Sequence, residues 1–176
     1  SADRRADTWR LPIDFYPPPY SDESGQSADR VRAIGRIGEI EVRYIQLALQ
    51  ALGYYAGPID NDKGPMTSEA IKLYQGALGA ERTGTLRPEQ TVRLIQTAAA
   101  GGNALSQYTL GTMYYKGVGE PQNYIRARYW FERAAEQNEP YSLNALGILY
   151  RDGRGVAADP NLSAAYFRRA RDAGFR

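Results

Sequence analysis

Apolar side chains recur every three or four residues in three short segments between residues 39 and 97. Gly53 and Gly79, which suit the left-handed turn after a helix, close the first two segments. The third opens with Pro88, whose missing amide is harmless in a first helical turn. The spacing predicts three short amphipathic helices around one small core. The apolar positions are Val42, Ile45, Leu49 and Leu52, then Ala70, Ile71, Tyr74, Ala77 and Leu78, then Val92, Leu94 and Ile95.

The sequence that follows repeats itself at an offset of 36 residues. The segments 104–138 and 140–174 share the order helix, glycine-rich turn, helix, and such a period is typical of stacked supersecondary units. Small residues such as Gly111 and Ala134 are expected to let the paired helices approach closely, while aromatic side chains fill the space between them. The matched pairs are Leu110-Gly111 with Leu146-Gly147, Tyr114 with Tyr150, Gly117 and Gly119 with Gly153 and Gly155, Trp130-Phe131 with Tyr166-Phe167, and the two expected helix N-caps, Asn123 with Asp159.

The same offset, extended backwards, describes the joint between the two parts. Leu94-Ile95 aligns with Trp130-Phe131, and Ala98-Ala99 aligns with Ala134-Ala135. The last helix of the first module is then also the second helix of an incomplete repeat. We therefore predict an all-α protein in which one helix belongs to two cores, forming a rigid body that proteases do not divide.

Residues 1–38 have no sustained helical or strand period and contain four prolines, at positions 12, 17, 18 and 19. We expect an irregular, Pro-rich N-terminal arm with polyproline character and no regular domain. The arm has more apolar side chains than a solvated linker, which predicts that it docks on the helical body. Those side chains are Trp9, Leu11, Ile13, Phe15, Tyr16 and Tyr20.

Composition excludes several classes of function. The chain has 176 residues, of which 43% are hydrophobic and 24% charged, with a net charge of +2 and neither Cys nor His. Disulfides, thiolate or imidazole metal sites and His-dependent triads are therefore excluded. The near-neutral charge argues against nucleic acid, and no apolar run reaches the roughly 18 residues of a membrane span. A start as charged as Asp3-Arg4-Arg5 is not a signal peptide, so we expect a mature chain or an excised fragment.

A specific set of residues in the first module follows a known order: Val42, Gln46, Leu49 and Leu52-Gly53-Tyr54-Tyr55, then Gly57, Ile59-Asp60, Gly64, Thr67, Ala70-Ile71 and Tyr74-Gln75, then Thr83-Gly84, Thr91 and Leu94. With this set, residues 39–97 resemble the three-helix peptidoglycan-binding domain found on many bacterial wall enzymes. Two positions depart from the family pattern. Asn61 replaces the usual Gly and is compatible with a left-handed turn, whereas Lys63 replaces an aromatic residue whose packing it cannot supply.

This resemblance implies a peptidoglycan-binding site at the turn after the first helix. Aromatic faces stack on sugar rings and peptide stems, and the turn at 57–60 offers backbone groups for hydrogen bonds. In this family pattern the first tyrosine of the pair often packs inward, which favours the second as the exposed ring. The predicted wall-binding residues are Tyr54, Tyr55, Asp60 and Asn61.

The second part of the chain is similar to a second family. The residues that carry the likeness are Leu110-Gly111-Thr112-Met113-Tyr114-Tyr115-Lys116-Gly117-Val118-Gly119, Tyr124, Ala127, Trp130-Phe131 and Ala134-Ala135-Glu136. Residues 98–176 thus resemble Sel-one-like repeats, a helical-hairpin solenoid related to tetratricopeptide repeats. The second repeat is a variant, with Pro160 and Ser163 in place of Tyr124 and Ala127. The resemblance implies a scaffold that presents a concave surface to a protein partner.

We place the partner-facing surface on the first helices of the repeats, where tyrosines offer contact area and a hydrogen bond at little entropic cost. Two of the tyrosines, Tyr108 and Tyr115, could equally pack between repeats. The second helices are rich in arginine, which suits an anionic partner or, as we favour, a solvated outer face. The predicted partner-binding residues are Gln107, Tyr108, Tyr115, Tyr141 and Asn144.

No group of residues predicts catalysis, a cofactor or a metal. Paired carboxylates can cleave glycosides without His, but Asp60 and Asp62 lie in a turn where Asp commonly binds its own backbone. Glu132, Glu136 and Glu139 suit a solvated face. The sequence lacks the Glu that a calcium loop requires about twelve positions after its first Asp. We therefore expect a protein without enzymatic activity.

Three hypotheses follow. The first is a non-catalytic bacterial adaptor of the cell envelope, periplasmic or secreted, that binds peptidoglycan through residues 39–97 and a protein through residues 98–176. The second keeps the fold but makes the first module a degenerate N-terminal cap of a protein-interaction or signalling scaffold. In the third, the chain is the targeting part of a larger wall hydrolase.

Overall fold

Eight α-helices follow one another in the computed structural model, which describes residues 23–176, with side chains from residue 28 onward. They are α1 (Glu23–Gly35), α2 (Val42–Ala51), α3 (Pro65–Ala77), α4 (Pro88–Ala100), α5 (Ala104–Lys116), α6 (Tyr124–Ala135), α7 (Pro140–Asp152) and α8 (Pro160–Asp172), with a short 3-10 helix at Ile37–Glu39. These residues contain no strand, so the predicted all-α class is confirmed. The predicted docking of side chains 9–20 lies outside the described residues.

Helix α1 corrects the expectation that residues 1–38 have no regular element. Its last turn buries Ala33, and the carbonyl of that residue accepts a hydrogen bond from Gly119 at 2.7 Å. The Arg36 guanidinium donates to the Lys116 carbonyl at 2.6 Å. The apolar stripe of this helix is too short to show a period, and contacts with the loop after α5 stabilise it instead.

The three helices predicted for the first module are confirmed as α2, α3 and α4. Gly53 and Gly79 end the first two with φ of +80° and +68°, the left-handed conformation that their positions require. The apolar side chains at the centre of the module are fully buried, among them Leu49, Leu94 and Ile95.

Each repeat is a helical hairpin, α5 with α6 and α7 with α8. A Cβ atom at Gly111 would lie 2.6 Å from the ring of Phe131, so this glycine permits the close approach of α5 and α6. The same distance separates Gly147 from Phe167 in the second hairpin. The predicted N-caps are also confirmed. They are Asn123, which accepts from Arg126 N, and Asp159, which accepts from Leu162 N.

Helix α4 is shared between the two parts, as the 36-residue offset predicts. It packs against both α2 and α5, and these two helices also contact each other. Leu94, Ile95, Ala98 and Ala99 are each 1% exposed or less and belong to one continuous apolar core. The orientation of the first module relative to the repeats is therefore fixed by a helix, not by a linker.

Candidate functional site

The turn after α2 is organised by the buried side chain of Gln46. Its Nε2 donates to Asp60 Oδ1 at 2.8 Å and to the Asp62 carbonyl at 3.0 Å. Its Oε1 accepts from the Asn61 amide at 3.1 Å. One side chain from α2 thus binds three successive loop residues, the backbone of Asn61 and Asp62 and the carboxylate of Asp60. Asp60 and Asn61 are predicted wall-binding residues.

Asp60 and Asn61 are exposed on this turn, where a ligand can reach them. The hydrogen bond from Gln46, followed by one from the Asp62 amide, lowers the pKa of the Asp60 carboxyl below its ordinary value. Asn61 adopts φ of +63°, as its sequence position predicts, and its Oδ1 accepts from Arg43 N in the first turn of α2 at 2.9 Å. The turn therefore presents an ionised carboxylate on a backbone that is already ordered.

The tyrosine pair is arranged in the opposite way from our expectation. Tyr55 is the inward ring, 6% exposed, and its hydroxyl donates to the Pro58 carbonyl at 2.7 Å. Gly57 lies directly over it, since a Cβ there would be 2.6 Å from the Tyr55 hydroxyl. Tyr54 is half-buried and packs edge-on against Tyr74, with ring centroids 5.7 Å apart. Tyr55 therefore supports the loop and cannot stack on a sugar ring.

Two apolar side chains that sequence reasoning missed flank this turn. Met66 is 56% exposed and Ile59 38% exposed. A Cβ at Gly57 would lie 2.9 Å from Met66 Cε, which places that methyl group over the loop. Ile59 lies in a turn-rich segment without a period, and Met66 lies in the first turn of α3, so only the structure shows that both flank the turn. We call Ile59, Asp60, Asn61, Lys63 and Met66 the loop face.

A row of aromatic side chains crosses the first helices of the module and of both repeats. Tyr44 of α2 lies 6.4 Å from Tyr108 of α5, measured between ring centroids. Tyr108 lies 5.5 Å from Tyr141 of α7, which lies 5.6 Å from Phe175 at the end of the chain. Tyr141 is 50% exposed, and the other three are half-buried. We call these four residues the aromatic row.

The other predicted partner-binding residues have different environments. Asn144 is half-buried on α7, and its side-chain amide makes no hydrogen bond to a described residue. Tyr115 packs between the repeats, because its ring lies edge-on to Tyr124 and its hydroxyl accepts from Arg154 Nη1 at 2.7 Å.

The prediction for Gln107 is wrong, because its side chain is 1% exposed and cannot contact a partner. Its Nε2 donates to the Ala99 carbonyl at 3.2 Å, and its Oε1 accepts from Gln137 Nε2 at 3.0 Å. Gln107 thus connects α4 to the end of the first repeat. The repeat offset contains the missed signal, since it aligns this position with Leu143, which is fully buried.

A cavity of about 200 Å³ opens at the joint between the module and the first repeat. Its lining includes Glu39 and Glu41 together with Tyr44 and Tyr108 of the aromatic row. The remaining lining residues are Ile40, Thr109, Thr112, Met113, Lys116 and Val118. The cavity therefore combines aromatic rings with charged side chains of both signs.

Arginines of the second helices lie over aromatic rings of the repeats. Arg126 stands 5.5 Å from the Tyr114 centroid, and Arg169 stands 5.7 Å from that of Tyr166. These guanidinium groups have partners within the chain. Between residues 23 and 176, no group of His, Cys, Asp and Glu residues is arranged to hold a metal. No helix in the same range is long and apolar enough to cross a bilayer.

A three-helix module that shares its last helix with two helical hairpins defines a short α-helical solenoid. Residues 39–94 match the family model described as putative peptidoglycan binding domain, and residues 104–139 and 140–175 match the Sel1 repeat. The chain thus carries a putative peptidoglycan binding domain and two Sel1 repeats, which confirms both resemblances. This combination associates the chain with wall binding, protein interaction and the cell envelope.

Individual relatives match parts of the chain. An ERAD-associated E3 ubiquitin-protein ligase component of Arabidopsis thaliana is 31% identical over 91 residues, or 49% of this chain. This chain spans only 13% of that curated relative. A Sel1 repeat protein from Oxalobacter formigenes has a TM-score of 0.51 and 28% identity, covering 61% of this chain and 82% of the other.

A second solved structure extends the likeness over more of the chain. It is a protective antigen present in uropathogenic Escherichia coli strains and displays an SLR fold. Its TM-score is 0.53 at 28% identity, with coverage of 75% of this chain and 30% of the antigen.

Proposed function

We propose that the protein is a non-catalytic adaptor, periplasmic or secreted, that tethers a protein partner to peptidoglycan. The loop face binds the wall, and the aromatic row holds the partner. The observation that carries the proposal is the shared helix α4, which joins both surfaces in one continuous core. A tether needs two binding surfaces in a fixed relation, and α4 supplies that relation.

The loop face suits a glycan strand with peptide stems for two reasons. Met66 and Ile59 offer apolar area next to the Asp60 carboxylate, so sugar faces and polar groups can be bound together. Gln46 and Tyr55 hold the turn in place before any ligand arrives, which reduces the entropy lost on binding.

Co-sedimentation with isolated peptidoglycan sacculi tests the wall-binding part. We compare the unmodified chain with the double variant Ile59→Ser, Met66→Ser, and use Leu73→Ser as the matched control. Leu73 lies on α3 like Met66 and is equally exposed, at 55%, but it is two helical turns away from the loop. We expect the double variant to remain in the supernatant and the control to pellet. Equal pelleting of all three proteins would contradict a wall site on the loop face.

A second candidate function is a protein-interaction scaffold in which the first module only caps the solenoid. The observation that favours it is Tyr44, because this residue of α2 extends the aromatic row of the repeats onto the module. If the unmodified chain fails to pellet with sacculi, this second function replaces the first.

A further inference from the structure

The aromatic row crosses α2, α5 and α7 at nearly regular steps and ends at Phe175. Its successive ring centroids lie 6.4, 5.5 and 5.6 Å apart. Tyr141 is 50% exposed and the other three rings are half-buried, so part of each ring remains open to solvent. A ligand that fits this surface must repeat its apolar groups at the same interval.

The N-terminal arm contains a segment with that interval. Between residues 9 and 15 every second residue is apolar, and the residues between them are charged or proline. An extended chain turns alternate side chains to opposite faces and rises about 3.3 Å per residue, so the apolar groups share one face at intervals of about 6.6 Å. Seven residues are too few for a sustained strand period, but four apolar groups match four rings. The apolar residues are Trp9, Leu11, Ile13 and Phe15.

We propose that residues 9–15 dock on the aromatic row of the same molecule as an extended segment, with their four apolar side chains on the rings and Phe15 at the cavity. The docked segment itself lies outside the described residues. A protein partner must displace it to reach the row, so the arm regulates partner binding. In this respect the inference rests on the proposed function, which assigns the partner to the row.

The chain between Phe15 and α1 is long enough to reach the cavity. Helix α1 is about 20 Å long, whereas the eight steps from Phe15 to the start of α1 extend to about 27 Å. Prolines at 17–19 favour an extended course over these steps. The last turn of α1 lies beside the loop after α5, because Gly119 donates to the Ala33 carbonyl at 2.7 Å, and Val118 of that loop lines the cavity. A chain that returns along α1 can therefore bring Phe15 to the cavity.

The cavity offers a site for the Phe15 ring. A cavity of roughly 150 Å³ is large enough for benzene, and this one measures about 200 Å³. The carboxylates of its lining already have partners, since Glu39 and Glu41 are paired with arginines of the chain at 2.7 Å and 2.9 Å. Tyr44 and Tyr108 supply rings against which another aromatic ring packs favourably. An uncharged aromatic side chain therefore suits the cavity better than an ion.

The short connection favours docking within one molecule over docking on a second copy. A segment joined by a short linker is held at an effective concentration on the order of millimolar. A second copy competes equally only when the protein itself reaches that concentration. The charged residues Arg10 and Asp14 face solvent in this arrangement, as expected for an extended segment that is apolar on one side.

Acrylamide quenching of tryptophan fluorescence in the full chain tests the docking. The chain has two tryptophans, and Trp130 is 4% exposed, so it supplies a constant background that Trp9→Phe measures. We expect Trp9 to be shielded in the unmodified chain and more accessible in Ile13→Ser, because the loss of one apolar side chain should lower the docking equilibrium constant roughly ten-fold. Asp14→Ser, on the opposite face of the segment, is the matched control and should leave Trp9 shielded. Equal quenching in all three chains would overturn the proposal.

Tyr141→Ser tests the docking from the side of the row. Tyr141 is 50% exposed and lies outside the core, so this variant keeps the fold. We expect it to raise the quenching of Trp9, whereas Ile125→Ser, which removes a side chain of α6 that is 53% exposed, should not. Equal effects of the two variants would show that the row is not the docking surface. Quenching that increases on dilution of the protein would assign the segment to a second copy and overturn the proposal.

Sacculus pelleting separates this inference from the proposed function. We expect Ile13→Ser to pellet like the unmodified chain, since residues 9–15 are not part of the loop face. A chain that pellets but leaves Trp9 as accessible as in Ile13→Ser would retain the wall tether and refute the docked arm. A shielded Trp9 in a chain that never pellets would retain the docked arm and refute wall tethering.

Discussion

Gln46 and Gln75 fix the two loops of the first module in the same way. Both side chains are buried, 0% and 1% exposed, and each uses both amide atoms on the loop after its own helix. Gln46 donates to the Asp62 carbonyl and accepts from the Asn61 amide. Gln75 makes the same two kinds of bond to the next loop, at 2.9 Å and 3.0 Å. One buried amide per loop therefore fixes segments that have no regular secondary structure.

Replacing Gln46 by Ala should destabilise the protein by roughly 2 to 3 kcal/mol, because buried polar groups of the loop lose their partner. Urea unfolding measures the change, with Gln50→Ala as the control, since Gln50 lies on the same helix and is exposed. Equal midpoints for the two variants would mean that the loop does not depend on this amide.

Asp60 should make stability depend on pH in the acid range. Its folded pKa is lowered, chiefly by the hydrogen bond from Gln46, so the carboxylate stabilises the fold above the unfolded value of about 3.9. That contribution is lost as the pH falls through the lower folded pKa. In Asp60→Asn the free energy of unfolding should lose this part of its acid dependence. Identical pH profiles for both proteins would contradict the assignment.

Glu120 should change the pH dependence of stability in the opposite direction from Asp60. Burial raises the pKa of this carboxyl, although Arg30 and Arg126 oppose the shift, and Gln96 donates to it at 2.6 Å. A raised folded pKa means that the fold loses stability as the pH rises from the unfolded value through the folded one. We expect Glu120→Gln to raise the Tm at pH 7 and to change it little at pH 3. A lower Tm at both pH values would refute this.

Gly111→Ala and Gly147→Ala should lower the free energy of unfolding by different amounts, although the new Cβ atom lies 2.6 Å from a phenylalanine ring in both cases. Phe131 is 2% exposed and cannot move, so we expect about 1 to 3 kcal/mol of destabilisation from Gly111→Ala. Phe167 is half-buried on the last helix and can shift away, so Gly147→Ala should cost less. Thermal unfolding of both variants checks the order, and the reverse order would be inconsistent with this packing.

Ile95→Ala should destabilise the whole molecule in one transition, by roughly 2 to 5 kcal/mol, because this buried residue of α4 belongs to the common core. Limited proteolysis provides the second readout. We expect no stable fragments that correspond to 39–97 and 104–176. Two separate unfolding transitions, or a clean cut near Gly102, would indicate independent domains.

Helix positions and the repeat could be predicted from the sequence because each depends on a local, periodic signal. The helices α2 to α8 have apolar stripes, glycine ends or caps that can be recognised without a structure. Helix α1 could not be predicted, since its support comes from Lys116 at the end of α5 and from Gly119 in the loop after it. Contacts between residues so far apart in sequence cannot be recognised from the pattern of a single helical segment.

The candidate sites were predictable only in part. Asp60 and Asn61 are on the surface, but the order of Tyr54 and Tyr55 depends on how the loop closes over one ring, which no spacing rule fixes. Tyr44 was missed because it joins the aromatic row only when α2 and α5 lie side by side. Two features of the sites thus require coordinates: the side-chain directions in the loop, and the way in which neighbouring helices lie against each other.

The sharing of α4 also limits which insertions and deletions the chain can accept. One residue added in the middle of this helix would turn everything after it by about 100° and move it by about 1.5 Å. The aromatic row would then be broken between Tyr44 and Tyr108. Insertions and deletions should therefore be tolerated in surface loops such as 153–158 but not within 88–100. The number of residues in α4 thus fixes the distance between the loop face and the aromatic row.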